Sequence, residues 1–258
     1  MRKNVKKQLA LRVLSTAALM AMVSSIATAA FADTYDLNTG SVTVETKANG
    51  ITYVTQTDNS QVDGYARNEN SEVLHEHPDT TGVTITSGGT PTSNTITVNT
   101  AENQTTNVTL ENVHIEQPDS HWSECTDPAP IEIKGKGDTN LELNGNNIVL
   151  SGNSKHAGIE KADVNGTGTL TIKDDVNDNG KPKTGTEADT TGKLLAGGYQ
   201  EGAAIGGGDS GGNSITIKDH AVVDAYGKYG AAIGDGGLNI GNGRPTTITI
   251  SGNATVHA

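Results

Sequence analysis

The chain has 258 residues, 33% hydrophobic and 3% aromatic, with 32 glycines, 18 Lys+Arg against 30 Asp+Glu and a formal net charge of −12. So acidic a surface repels nucleic acid and anionic lipid. The single cysteine, Cys125, excludes an intramolecular disulfide framework.

The chain opens with Arg2, Lys3, Lys6, Lys7 and Arg12 ahead of an apolar run that closes on Ala30-Phe31-Ala32. This pattern predicts a secretory signal peptide over 1–32, which places the mature protein outside the cell or on its surface. After cleavage no apolar run of about 18 residues is left, so no membrane insertion is expected. The leader carries five of the cations and none of the acids, and the mature charge falls to about −17. A bare polyanionic glycan is then disfavoured unless a divalent cation bridges the two carboxylate sets, which raises calcium as a question.

From 33 to 81 the strands SVTVE and ITYVT with polar connectors predict an N-terminal cap or first coil. HEHPD at 75–79 puts His75 and His77 on one face of an extended segment. They are two imidazoles for a transition metal, if the fold brings up His121, Glu124 or Cys125, and otherwise solvated loop residues. GVTIT at 82–86, NTITV at 94–98 and NVTLENVHI at 107–115 are further short strands.

A repeat follows. API ending at Ile131, AGI at Ile159, AAI at Ile205 and AAI at Ile233 are separated by 28, 46 and 28 residues. After each comes a Thr-rich alternating run, TNLEL, GTLTI, NSITI or TTITI, then a turn, then a third short run such as IVL, AVVDA or ATVHA. The long step exceeds the others by 18 residues, the length of the excursion Asp175–Gly192. An antiparallel sandwich would not repeat three distinct strands in fixed order. The pattern therefore predicts an all-β fold, a parallel β-solenoid with coils of about 28 residues over 82–258, its strands stacked at roughly 4.8 Å. In GAAIGGG at 202–208 and GAAIGDG at 230–236, Ala keeps the corner thin, Ile points inward and glycine permits positive φ. The chain stops on SGNATVHA without a polar cap, and the solenoid is expected to continue beyond it.

Taken in series, NVTLENVHI, PIEIKGKGDTNLELNGNNIVLSGNSKHAGIEK, GTLTIKD and GAAIGGG…NSITIKDHAVVDAYG resemble the secreted and cell-surface carbohydrate-binding-domain β-helix proteins of Gram-positive anaerobic bacteria. The resemblance covers 82–258. It implies a right-handed parallel β-helix, secretion, and adhesion or binding to a polysaccharide or surface glycan, with no catalytic residue carried over.

Two sets of residues invite chemistry. Tyr199, Tyr226 and Tyr229 flank the AAIG corners, where stacking would make a platform for pyranose rings with Gln200 and Asp224 nearby. The alternative is that these tyrosines seal the solenoid edge. Asp175, Asn177, Asn179 and Gly180 form the D-x-N-x-N-G start of a calcium loop. Position twelve holds Thr186, with Glu187 one place late, and the alternative is a turn with no ion. Catalysis is not expected: the mature arginines are Arg67 and Arg244, and no acid cluster accompanies them. The sequence thus favours a non-catalytic glycan-binding or adhesive module over a structural spacer, and either over a polysaccharide-lyase-like enzyme.

Overall fold

The computed structural model describes residues 34–57, 72–77, 82–120, 128–161, 168–177, 181–183, 192–208, 213–237 and 246–258. By internal contacts the chain divides into Met1–Phe31 and Ala32–Ala258, and every described residue lies in the second unit. Asn179, Glu187, His121, Glu124 and Cys125 fall outside the described residues.

The described residues are all-β, with no helix. The strands are β1 Thr34–Asp36, β2 Val42–Thr46, β3 Thr52–Thr57, β4 Glu72–His77, β5 Val83–Thr86, β6 Ile96–Thr100, β7 Thr105–Glu111, β8 His114–Glu116, β9 Ile131–Lys134 and β10 Asp138–Asn144. They continue with β11 Asn146–Leu150, β12 Ile159–Lys161, β13 Thr169–Asp174, β14 Lys193–Gly197, β15 Ile205–Gly206, β16 Ser214–Asp219, β17 Val222–Tyr226, β18 Ile233–Gly234, β19 Thr247–Ile250 and β20 Thr255–His257.

Three sheets hold them. Sheet A has the order β1-β5-β7-β10-β13-β16-β19, sheet B β18-β15-β12-β9-β6-β2-β3-β4, and sheet C β20-β17-β14-β11-β8. From β7 onward the chain visits A, C and B in strict rotation. Every neighbouring pair is parallel except β2–β3 and β3–β4, which form an antiparallel meander at the end of sheet B.

Period-two alternation explains the strands. In sheets A and B the strands place most of their Val, Ile or Leu on one side and Thr, Asn or a charge on the other, giving burial patterns such as BiBiB in β6 and BiBi in β5. Parallel pairing then stacks like on like. Val83, Val108, Leu141, Ile172, Ile217 and Ile250 are successive register partners in sheet A. Ile96, Ile131, Ile159, Ile205 and Ile233 do the same in sheet B. Up to Ile217 in sheet A and Ile205 in sheet B the columns join one core cluster with Ile115, Val149, Leu194 and Val223 of sheet C; Ile233 packs against it, and Ile250 on the terminal strand is 52% exposed. A slip of one residue would turn a whole column to solvent, which is why the register is so sharply set.

The 28-residue step between Ile131 and Ile159 belongs to sheet B; in sheet A the partners Leu141 and Ile172 are 31 apart, and Ile217 and Ile250 are 33 apart. Strand register is fixed by the core, whereas the turns between sheets absorb differences in length. At the AAIG corners, Gly206 and Gly234 are register partners with φ of +134° and +137°. A Cβ on Gly206 would collide with the carbonyl of Gly234, so the corner needs glycine for close backbone approach as well as for φ.

One end of the interior is polar in an organised way. Thr46, Thr100, Thr106 and Thr139 are all buried. Their hydroxyls form a chain: Thr106 Oγ1 to Thr46 Oγ1 at 2.7 Å, Thr106 to Thr100 at 2.7 Å and Thr100 to Thr139 at 3.1 Å. Thr46 also meets Thr52 at 2.9 Å. A buried hydroxyl without a partner is costly, so the chain works as a unit. Thr100→Val, which keeps the shape and deletes the central hydroxyl, is expected to lower unfolding stability by about 1–3 kcal/mol in denaturant titration. Thr97→Val, at a half-exposed outward position of the same strand, should change it by no more than roughly 0.5 kcal/mol.

Candidate functional site

The outer face of sheet C is less polar than its position predicts. Its outward residues include Ile148 and Leu150 on β11, Leu195 on β14, and Asp224 and Tyr226 on β17. Register pairing lines up Ile148, Leu195 and Asp224 in one row and Leu150, Gly197 and Tyr226 in the next. Gly197 has no side chain to stand in that second row, and the Tyr226 ring fills the gap: Cζ and Oη lie 2.6 Å from where a Cβ on Gly197 would sit. Leu195, Tyr226 and Tyr229 are 36%, 50% and 66% exposed.

The corner that follows β14 and β17 gathers the other tyrosines. Lys228 Nζ lies 5.1 Å from the Tyr199 ring centroid and 5.4 Å from that of Tyr229, so one ammonium lies over both rings. The backbone holds this corner. Gln200, at φ +47°, accepts from the amides of Tyr229 at 2.9 Å and Gly230 at 3.1 Å through its carbonyl oxygen. Asp224 is exposed, with His257 Nδ1 at 2.7 Å from its Oδ1. Tyr199, Gln200, Asp224, Tyr226 and Tyr229 thus all lie on sheet C or the corner beside it. Sequence reading missed Lys228, Leu195 and His257. Lys228 carried a signal, since a cation one residue before Tyr229 and one repeat beyond Tyr199 is placed to meet both rings.

The excursion begins with backbone pairing between residues 175–177 and 181–183. Asn177 N donates to Lys181 O at 2.8 Å, Lys183 N donates to Asp175 O at 2.8 Å, and Val176 and Pro182 form an antiparallel bridge. The chain therefore doubles back after five residues. Asn177 Oδ1 accepts from the Lys181 amide at 3.1 Å, and Asp175 Oδ2 lies 2.6 Å from Lys173 Nζ. Asp175 Oδ2 and Asn177 Oδ1 are thus engaged by the protein. Among the described residues no group of three or more His, Cys, Asp or Glu side chains is arranged to hold a metal.

What Asp175 joins is a charged cluster that sequence reading did not single out. Glu142 and Lys173 are register partners on the outer face of sheet A. Lys173 Nζ lies 3.4 Å from Glu142 Oε2, and Glu142 Oε1 accepts from the amides of Asp175 at 3.0 Å and Val176 at 3.2 Å. The group lines a pocket of about 250 Å³ with Asn107, Thr109 and Asn140. Burial pushes the Glu142 carboxyl up to about 7, helped by its hydrogen bond to Asp175 and the charge there. Burial acts against the Lys173 ammonium, yet its bond to Asp175 and the charge of Glu142 hold its pKa above the ordinary lysine value. Asp175 is lowered: burial works upward, and the hydrogen bonds from Lys173 and Glu142 overcome it.

A second cavity, about 350 Å³, is lined by uncharged groups including Ser41, Ser93, Thr95, Gln117 and Asn153. Gln117 Nε2 donates to Pro128 O at 2.8 Å. His75 and His77 lie on β4, at register positions opposite Val54 and Thr52. Their prospective partners 121, 124 and 125 are outside the described residues. Compared with protein-family models, with curated proteins and with solved structures, the chain matches none.

The Glu142 cluster carries a pH signature. A carboxyl whose folded pKa is about 7 against an ordinary 4.5 binds its proton more tightly when folded. Its contribution is therefore fully present below pH 4.5 and is lost as pH rises towards 7, by up to about 3 kcal/mol. Glu142→Gln, which fixes the neutral form, should remove this dependence. Thermal unfolding from pH 5 to 8 is expected to fall in the native chain and to flatten in the variant; parallel curves would contradict the assignment.

Proposed function

We propose that the chain is an extracellular, non-catalytic carbohydrate-binding or adhesive module of a Gram-positive bacterial surface, built as a right-handed parallel β-helix. The resemblance of its repeat to secreted β-helix carbohydrate-binding proteins supports the class, and the rotation of the chain through three parallel sheets supports the architecture. The observation that carries the binding reading is the pair Tyr199 and Tyr229, lying under one lysine at a corner of sheet C. Aromatic faces stack on the C–H side of a pyranose, and side-chain amides and carboxylates answer its hydroxyls. Tyr226 and Leu195 extend the apolar strip, while Gln200 and Asp224 stand beside it. Lys228 adds a positive charge suited to a uronate or sulfated sugar on a surface otherwise negative. Calcium bridging from the Asp175, Asn177, Asn179 and Glu187 stretch is the second route to an acidic glycan.

A polysaccharide-lyase reading has one observation in its favour, the strongly raised Glu142 beside Asp175 in a pocket. Lys173 argues against it. A lyase base must lose its proton, and the neighbouring carboxylates hold this lysine charged.

The test is a glycan array followed by calorimetry on the purified protein, with calcium and with chelator. Saturable binding should fall at least roughly tenfold in Tyr199→Ala/Tyr229→Ala, a loss of about 1.4 kcal/mol. Undiminished binding in that variant would remove the tyrosine corner, and new unsaturated ends in a uronate polymer would replace binding by catalysis. Loss on chelation alone would move the site to the excursion.

A further inference from the structure

Lys183 and Asp174 form an ion pair whose two side chains both have zero exposure. Asp174 is the last residue of β13, in alternation with the inward Leu170 and Ile172, and its register partner is Asp219. Gly192 packs so tightly on the Asp174 carboxylate that a Cβ there would overlap it. Lys183 is brought back to this point by the hairpin of the excursion: its amide bonds to Asp175 O at 2.8 Å, beside the Val176–Pro182 bridge. Its Nζ touches Asp174 Oδ2. The hairpin is clamped from the other side by Glu142, whose Oε1 accepts from the amides of Asp175 and Val176, the two peptides that follow Asp174.

Two opposite charges out of water are each deprived of hydration, and their attraction only partly offsets that loss. Proton transfer from the ammonium to the carboxylate leaves a neutral amine and a carboxylic acid in contact, held by a closed turn. Such enforced proximity is worth many orders of magnitude in effective concentration. The observations point to a covalent end state in which neither charge has to be buried.

We propose that Lys183 and Asp174 condense into an intramolecular isopeptide bond that fastens the excursion to the end of β13. The lysine Nζ lone pair attacks Asp174 Cγ, the C–O bond to the protonated oxygen breaks, and one water leaves. The nitrogen keeps one hydrogen and becomes an amide N–H. No oxidation state changes and no co-reactant is needed. Glu142 acts as a positioning residue that holds the two peptides beside the reacting carboxyl. The inference is independent of what the tyrosine corner binds.

Peptide mass spectrometry of the full chain decides it. The segment spanning 174 to 183 should be lighter than its sequence by one water and should resist trypsin after Lys183. Asp174→Asn should form the same bond with loss of one ammonia in place of water. Lys183→Arg, which keeps the charge pair and cannot form this bond, should return the segment to its full sequence mass. A native chain at full sequence mass, cleaved after Lys183, would overturn the proposal whether or not any variant folds. So would a lighter segment whose mass deficit persists in Lys183→Arg, since that would place the lost water elsewhere.

Discussion

The structure depends on parallel backbone pairing in register between strands that lie a full circuit of the chain apart. Ile131 meets Ile159, Ile159 meets Ile205 and Ile205 meets Ile233, so each strand rests on a near-copy of itself. Like residues then stack on like, and each inward column becomes a continuous wall of β-branched and aliphatic side chains. Because side chains alternate with period two, this one constraint also decides what faces outward: Thr171, Thr216 and Thr249 in sheet A, Asp224 and Tyr226 in sheet C. The candidate site is a by-product of the register, since the tyrosine rows exist only where successive strands bring their outward positions together.

Corners are where the constraint is hardest to meet, because the backbone must turn while its polar groups remain paired. The molecule meets it in four ways. Glycines at 206 and 234 let neighbouring corners approach to contact distance. Asn147 fills another corner with its amide, accepting from Val113 N at 2.9 Å and donating to Asn144 O at 3.1 Å and Lys193 O at 3.2 Å. The threonine hydroxyl chain does the same near the antiparallel meander, and the Lys183–Asp174 pair does it where the excursion leaves. Buried polar groups here cluster at the ends of strands, where the aliphatic columns stop.

Much of the fold was legible. The alternating runs ending at Leu143, Ile172, Ile217 and Ile250 are β10, β13, β16 and β19, and the runs at 148–150, 221–225 and 254–258 lie in or overlap β11, β17 and β20. They could be read because each is a short period-two pattern bounded by Gly, Asn or Asp. The meander of β3 and β4 was not legible as antiparallel, since one strand's own sequence does not record its partner's direction. The uneven steps in sheet A were visible in the spacing of those run ends, and turns of different length leave strand register intact. In the site, the clustering of Tyr199 with Tyr229 followed from the repeat. The Glu142–Lys173 pair did not: its members sit in unlike phrases, TNLEL and GTLTIKD, and only register alignment puts them side by side.

Register across the step that contains the excursion is the claim on which the rest stands. Thr169 and Ser214 are partners 45 residues apart, with their hydroxyl oxygens 3.3 Å from one another. In a Cys125→Ser background, Thr169→Cys with Ser214→Cys should form a disulfide readily on mild oxidation, because neighbouring strands hold Cα atoms within the range that bond requires. Thr169→Cys with Ile215→Cys should not, since residue 215 faces the core. Cross-linking of the second pair and not the first would contradict the register, and with it the inward columns and the tyrosine corner.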